Sequence, residues 1–334
     1  MTKERKAYMK TYKKILCIGL VICSVFLFTS CTNNQSDNLS DIPGNKPYIA
    51  VIAKGFQHQF WQTVKQGAEM AAKDYDVTIT FQGTDTEAQI DKQTEMLDAA
   101  LSKNPVAICI AALDSRAVLG SLEKAHERGI PIVGFDSGVD SDIVTATAAT
   151  DNKAAAALAA DKMAEAIGGK GEIGMIVQDQ TSMTGRDRRD GFKERIESKY
   201  PDIKIVDIQY GEGDHTKSAD AAKAIISAHP NVVGMYGANE GSAIGVVLAL
   251  DELGKTGQIQ AVGFDSGKRQ VDAVRDGEMY GAVTQDPIQI GYKAVEAAYK
   301  AYKGEEVEKE IDTGFKWYDK TNVDSEEIKQ LLYE

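Results

Sequence analysis

The chain has 334 residues, 43% of them hydrophobic and 26% charged, with a formal net charge of −12. That length allows two ordinary domains, and the composition lets each bury a core. The acidic balance argues against nucleic acid or an anionic lipid surface as the partner.

The first segment is basic, with Lys3, Arg5, Lys6, Lys10, Lys13 and Lys14, and an apolar run from Ile15 to Phe28 follows it. A basic stretch, a short apolar stretch and then small residues predict a secretory signal over residues 1–30. The run is short for a permanent membrane span. Thr29-Ser30-Cys31 resembles the bacterial lipobox, whose cysteine becomes the acylated first residue, although Phe28 stands where Leu is usual. Cys31 is therefore the expected lipidation site; the plainer alternatives are an unmodified secretory signal or an uncleaved anchor. Six basic residues and Glu4 leave with the signal, which takes the net charge to −17. Residues 31–47 then read as a flexible, lipid-anchored tether. Of four cysteines only Cys31 and Cys109 lie beyond the signal. Cys109 sits in the apolar run VAICIAA, a place for a small buried thiol. An acylated Cys31 would leave it no disulfide partner, and no Cys/His spacing suits a metal.

From Tyr48 onward β-rich runs alternate with helical segments. Strands are predicted over 48–53, 77–81, 106–112 and 130–136, then over 172–177, 203–209, 232–238 and 259–265. Segments 60–75, 88–103 and 153–168 are rich in Ala, Glu, Lys and Met, with apolar residues at three- and four-residue steps, and predict helices. Such alternation predicts an α/β architecture with parallel sheets. The chain also repeats itself. Val133-Gly134-Phe135-Asp136-Ser137-Gly138 recurs in full as Val262-Gly263-Phe264-Asp265-Ser266-Gly267, and AALDSRAV (111–118) has a related counterpart in GANEGSAI (237–244). Two lobes of one topology explain both repeats; the alternative is a favourable strand-exit turn used twice. Ligands of open α/β sheets gather at the carboxyl ends of the strands. Asp136 and Asp265 lie there, so two facing lobes would share a cleft.

The stretches YIAVIAKGFQHQFWQTVKQGAEMAA, GIPIVGFDSG, TAATDNKAAAALAADKMA, GRDRRDGF, AHPNVVGMYGANEGSAIGVV and AVGFDSG resemble the ribose- and galactose-type solute-binding proteins of sugar ABC transporters. The resemblance runs from about Tyr48 to the C-terminus. It implies a type 1 periplasmic binding protein fold: two Rossmann-like lobes with parallel sheets, joined by a three-crossover hinge. The N-terminal lobe would be 48–150 plus 286–314 and the C-terminal lobe 151–285 plus 315–334, with Asp151, Asn152 and Asp286 at the hinge. It further implies a monomer that needs no cofactor, captures a pentose or hexose outside the cell and delivers it to an ABC transporter permease. The location would be the extracellular face of the cell membrane, or the periplasm where an outer membrane exists. Repressors of the lactose type share this fold but carry a DNA-binding helix-turn-helix where this chain has a signal and tether.

Sugar recognition needs flat apolar surfaces and planar polar groups. Phe60 and Trp61 occupy the family's ring-stacking position, or else pack the core of the first helix. Asp136 and Asp265 match its hydroxyl acceptors. Arg186, in GRDRRDGF, matches an arginine that grips sugar oxygens, whereas Arg188 and Arg189 read better as surface residues. Asn239 and Gln285 match cleft amides, and Asn239 could instead cap a helix. Ser137 stands where ribose binders place arginine, and the aromatic residue expected near Gly213 is absent. Lys54 and His58 stand where small or amide side chains are common. Lys54 is either a ligand contact or a partner to a carboxylate. All three are included in the expected ligand set. These departures point away from ribose itself and keep an inositol, a sugar alcohol or a furanosyl signalling molecule open, and a ligand sensor for a receptor, which would share this fold and cleft, is the other alternative. Facing carboxylates could serve as acid and base on a glycoside. Their equivalence, one per lobe, suits gripping better than catalysis, and no nucleophile-with-base constellation stands out among four histidines.

Overall fold

The computed structural model describes Lys46–Tyr333, so the expected signal, Cys31 and nearly all of the tether lie outside the described residues. Strands β1 (Tyr48–Gly55), β2 (Thr78–Thr84), β3 (Ala107–Ile110), β4 (Ile132–Phe135), β5 (Ala146–Ala149) and β11 (Glu310–Asp312) form one sheet. Its order is β11-β5-β4-β3-β1-β2, parallel throughout. Strands β6 (Gly171–Val177), β7 (Ile203–Tyr210), β8 (Val232–Gly237), β9 (Gln260–Phe264), β10 (Gly281–Gln285) and β12 (Phe315–Asp319) form the other. It runs β12-β10-β9-β8-β6-β7 and is parallel except for β10 against β12. With the last strand of each set aside, the two orders are the same. The doubled α/β lobe read from VGFDSG is thus present in the backbone.

The covering helices are α1 (Gln59–Asp74), α2 (Ile90–Ser102), α3 (Leu119–Glu127), α4 (Asn152–Ala166), α5 (Met183–Lys199), α6 (His215–Ala228), α7 (Glu240–Glu252), α8 (Lys268–Asp276) and α9 (Pro287–Tyr302), followed by the short α10 (Glu326–Lys329). Strands β1, β3 and β4 are buried along their whole length, as strands covered on both faces must be. Helix α1 buries Phe60, Trp61, Val64, Gly67, Ala68, Ala71 and Ala72, one stripe at helical spacing. It lies hard against α9. A β-carbon at Gly67 would stand 2.0 Å from the Ile288 carbonyl oxygen, and one at Gly291 1.9 Å from that of Val64. Two bare backbones thereby fix where α1 starts, and with it Phe60 and Trp61.

The chain passes between the sheets after β5, after β10 and after β11. Helix α4 packs on β9 and β10, whereas α9 packs on β1, β3 and β4. The tail returns once more: Val323 and Ile328 lie in the second lobe's core, but Tyr333 joins the first lobe's core, its ring 5.9 Å from that of Phe60. Cys109 is buried and donates to the Ala294 carbonyl, and burial pushes its thiol well above the usual range. Among the described residues no helix is long and apolar enough to cross a membrane.

Candidate functional site

The carboxyl ends of both sheets face one another, and a pocket lies between them. From the first lobe it is lined by Lys54, His58, Phe60, Trp61, Glu87 and Asp136; from the second by Gln178, Thr184, Arg188, Asn239, Glu240, Asp265 and Gln285. Eight of the expected residues are therefore brought together: Lys54, His58, Phe60, Trp61, Asp136, Asn239, Asp265 and Gln285. Two are not.

Arg186 is the first correction. Its guanidinium donates to Ser115 Oγ and Asp140 Oδ1, both at 2.8 Å, and to the Thr181 carbonyl, so it bridges the lobes at the rim. The arginine in the pocket is Arg188, 3% exposed. The reason is helical geometry. Ser182 caps α5 by accepting from the Gly185 amide, and from that start Thr184 and Arg188, four residues apart, share the face turned to the cleft. Arg186 lies half-way round. Arg188 donates to Asn152 Oδ1 at 2.7 Å and to the Ala238 carbonyl at 3.1 Å, stacks 3.8 Å over the Phe264 ring and lies 3.8 Å from Asp265. Ser137 is the second correction. It is fully buried outside the pocket lining, with no hydrogen-bond partner for its hydroxyl among the described residues.

Asp136 and Asp265 both adopt positive φ, 55° and 84°, a conformation that costs a non-glycine residue energy and that clusters at functional sites. Each amide donates to the neighbouring strand, to Ala148 O at 3.0 Å and Val283 O at 2.7 Å. Asp265 accepts from the Glu240 amide at 2.9 Å and from Gln285 Nε2 at 2.6 Å. Thr150 donates to Gln285 Oε1 at 2.9 Å, which fixes the orientation of that amide. Asn239 both lines the pocket and caps α7, accepting from the Ser242 amide. Asp151 and Asp286 cap α4 and α9, while Asn152 holds Arg188.

The first lobe's wall is arranged differently. Trp61 Nε1 donates to Glu87 Oε1 at 2.7 Å, and the Trp61 ring meets Phe60 and Phe135 edge-on. Lys54 reaches across to Thr184 Oγ1 at 3.3 Å and to Asp179 at 3.8 Å. Burial would lower its ammonium, but Glu87, Asp179 and Asp136 outweigh that and hold it charged. Burial would likewise raise Glu87, yet Lys54, His58 and the bond from Trp61 keep it below the usual carboxylate range. Asp136 goes the other way: burial pushes it up to about 6 against the pull of Lys54 and Arg188. Where an aromatic residue was expected near Gly213, Gln57 donates to the Gly213 carbonyl at 3.0 Å and the His58 and His215 rings lie 5.8 Å apart.

Sequence reasoning passed over Glu87, Gln178, Thr184, Arg188 and Glu240. Gln178 follows β6 directly, so the strand-end rule could have found it. Thr184 and Arg188 were open to a four-residue count from the Ser182 cap. Nothing in the order of residues marks Glu87, which sits in the turn after β2.

A family profile described as periplasmic binding protein domain matches residues 49–306. The D-allose-binding periplasmic protein of Escherichia coli is 30% identical over 266 residues, covering 77% of this chain and 85% of that protein. The ribose import binding protein RbsB of Bacillus subtilis is 26% identical, covering 91% and 98%. Among solved structures, an ABC transporter solute-binding protein from Agrobacterium vitis with bound D-fucose superposes with a TM-score of 0.82 at 35% identity, covering 86% of this chain and all of that one. A second from that organism, bound to α-D-tagatopyranose, gives 0.84 at 31% identity over the same shares. With its doubled sheets, its cleft and a profile match over most of its length, the chain belongs to the periplasmic binding protein family.

Proposed function

We propose that this protein captures one monosaccharide between its lobes and presents the closed complex to an ABC transporter permease. One observation carries the reading: the pocket combines aromatic surface from Phe60 and Trp61 with planar polar groups, Asp136, Arg188, Asn239, Asp265 and Gln285, drawn from both lobes. Asp151, Asn152 and Asp286 lie where the chain changes lobes and serve as the hinge. Closure by ligand is then a population shift, since sugar contacts on both walls exist only in the shut form. Cys31 carries a lipid that holds the monomer at the outer face of the membrane, with residues 32–47 as its tether. The Thr29-Ser30-Cys31 sequence behind a basic, then apolar, leader supports this.

A thermal-shift screen against D-allose, D-ribose, D-fucose, D-arabinose and D-tagatose, with inositols and sugar alcohols beside them, tests the reading. A ligand at one hundred times its Kd stabilises by about 2.7 kcal/mol, enough for a rise of several degrees. No shift with any sugar, and a shift with an inositol or sugar alcohol, would transfer the site to that class.

A further inference from the structure

Helix α1 begins without a cap of its own. Its N-cap residue, His58, makes no side-chain bond to the first turn, and that turn holds no acidic residue. The amides of Gln59 and Phe60 therefore need an acceptor from elsewhere. From the other lobe the Glu240 carboxyl lines the same pocket as Phe60; burial pushes it up to about 7, and the Gln59 and Phe60 amides pull against that. Glu240 is the first residue of α7 and is held from behind, its own amide donating to Asp265. Its carboxyl lies over Gly267: a β-carbon there would stand 2.6 Å from Oε1. The last glycine of the second VGFDSG thus leaves the room that this carboxyl fills. Oε2 is buried and has no hydrogen-bond partner among the described residues, and Glu240 lines the same pocket as His58 and Trp61. A buried acceptor without a donor is destabilising, and a ligand group that donates would remove the cost.

We infer that Glu240 is a specificity residue with two functions, one oxygen latching the second lobe onto α1 of the first and the other receiving a donor from the ligand. The ligand-contact half rests on the sugar reading above; the latch does not. The donor is a hydroxyl or an ammonium. His58, Asp265 and Tyr333 are titratable neighbours of the same carboxyl, so substitution separates the two functions more cleanly than pH.

Glu240→Gln is the separating variant. Its amide oxygen keeps the α1 amides, because its NH2 group would oppose those donors, and the NH2 group is left toward the pocket. Two quantities are read. One is hydrogen–deuterium exchange at the Gln59 and Phe60 amides, without sugar and at saturation. The other is calorimetric affinity for D-allose, or for whichever screened sugar raises the melting temperature furthest. Glu240→Gln should keep wild-type protection while binding the sugar at least about tenfold more weakly. Glu240→Ala should lose both, with exchange at least about tenfold faster. D-glucosamine binding more tightly than D-glucose would assign the donor as an ammonium, and the reverse order as a hydroxyl. Wild-type affinity in Glu240→Gln would overturn the ligand contact, and unchanged exchange in Glu240→Ala would overturn the latch. Should no sugar bind the wild type, the sugar reading fails with the ligand contact, while exchange without sugar still decides the latch.

Discussion

The two copies of VGFDSG share one sequence, a strand end and an aspartate at positive φ, but have two different surroundings. In the second, Phe264 lies under the Arg188 guanidinium, Asp265 accepts from Glu240 and Gln285, and Ser266 pairs with Thr284 at 2.7 Å. The first has Phe135 edge-on to Trp61 and, among the described residues, no partner for the Ser137 hydroxyl and no donor to the Asp136 carboxylate. The repeat fixes geometry, a left-handed aspartate at a strand end. What surrounds it decides whether that aspartate holds its own lobe together or stays available to a ligand. Asp265 is largely occupied by its own lobe, whereas Asp136 is buried beside Lys54 and left open.

Substitution at Asp265 should break this comparison hardest. Asp265→Asn takes the counter-charge from buried Arg188 and sets its NH2 group against one of two donors, so urea unfolding should register a loss of about 3–5 kcal/mol without any ligand. A smaller effect distinguishes Asp136. Its ordinary value is 3.8 and burial raises it to about 6. Between the two the folded protein keeps a proton that the unfolded chain has lost, so this group makes stability fall as pH rises from about 4 to about 6. Asp136→Asn should abolish that part of the slope, seen as a wild-type-minus-variant difference in melting temperature across the window. A difference that does not change with pH would place the titration elsewhere. The smallest effect is expected at Arg186. Its pairs with Asp140 and Ser115 lie at the half-exposed rim, where an ion pair contributes up to about 1 kcal/mol. Arg186→Ala should weaken sugar binding less than about tenfold, and a far larger loss would return Arg186 to the ligand's contacts.

Much of the fold was legible because repetition is a strong signal: alternating strand and helix patterns, and one hexapeptide written twice at strand ends. Strand β5 was not, since Ala146–Ala149 reads ATAA and takes its burial from neighbours instead of from an apolar run. Part of the site was legible where a residue ends a predicted strand, as with Lys54, Asp136 and Asp265, although Gln178 at the end of β6 was passed over and Gln285 came only from the family resemblance. The pocket is lined by Arg188 and not by the expected Arg186 because two steps along a helix reverse direction, and the facing side depends on where Ser182 starts α5. Glu87 and Glu240 stayed hidden for another reason. Glu87 answers to Trp61 and Lys54, and Glu240 lines a pocket with His58 and Phe60 of the other lobe, and no local pattern encodes a contact made across folded elements.

Urea unfolding of wild type and Asp136→Asn, each with and without saturating sugar, tests the central claim most directly. Without sugar the variant should be as stable as wild type, or more stable by up to about 2 kcal/mol, because an unpaired buried carboxylate has been removed. With sugar the wild type should gain stability and the variant should lose most of that gain. A variant destabilised on its own that still gains fully from sugar would contradict the account, and would make Asp136 a structural residue like its twin.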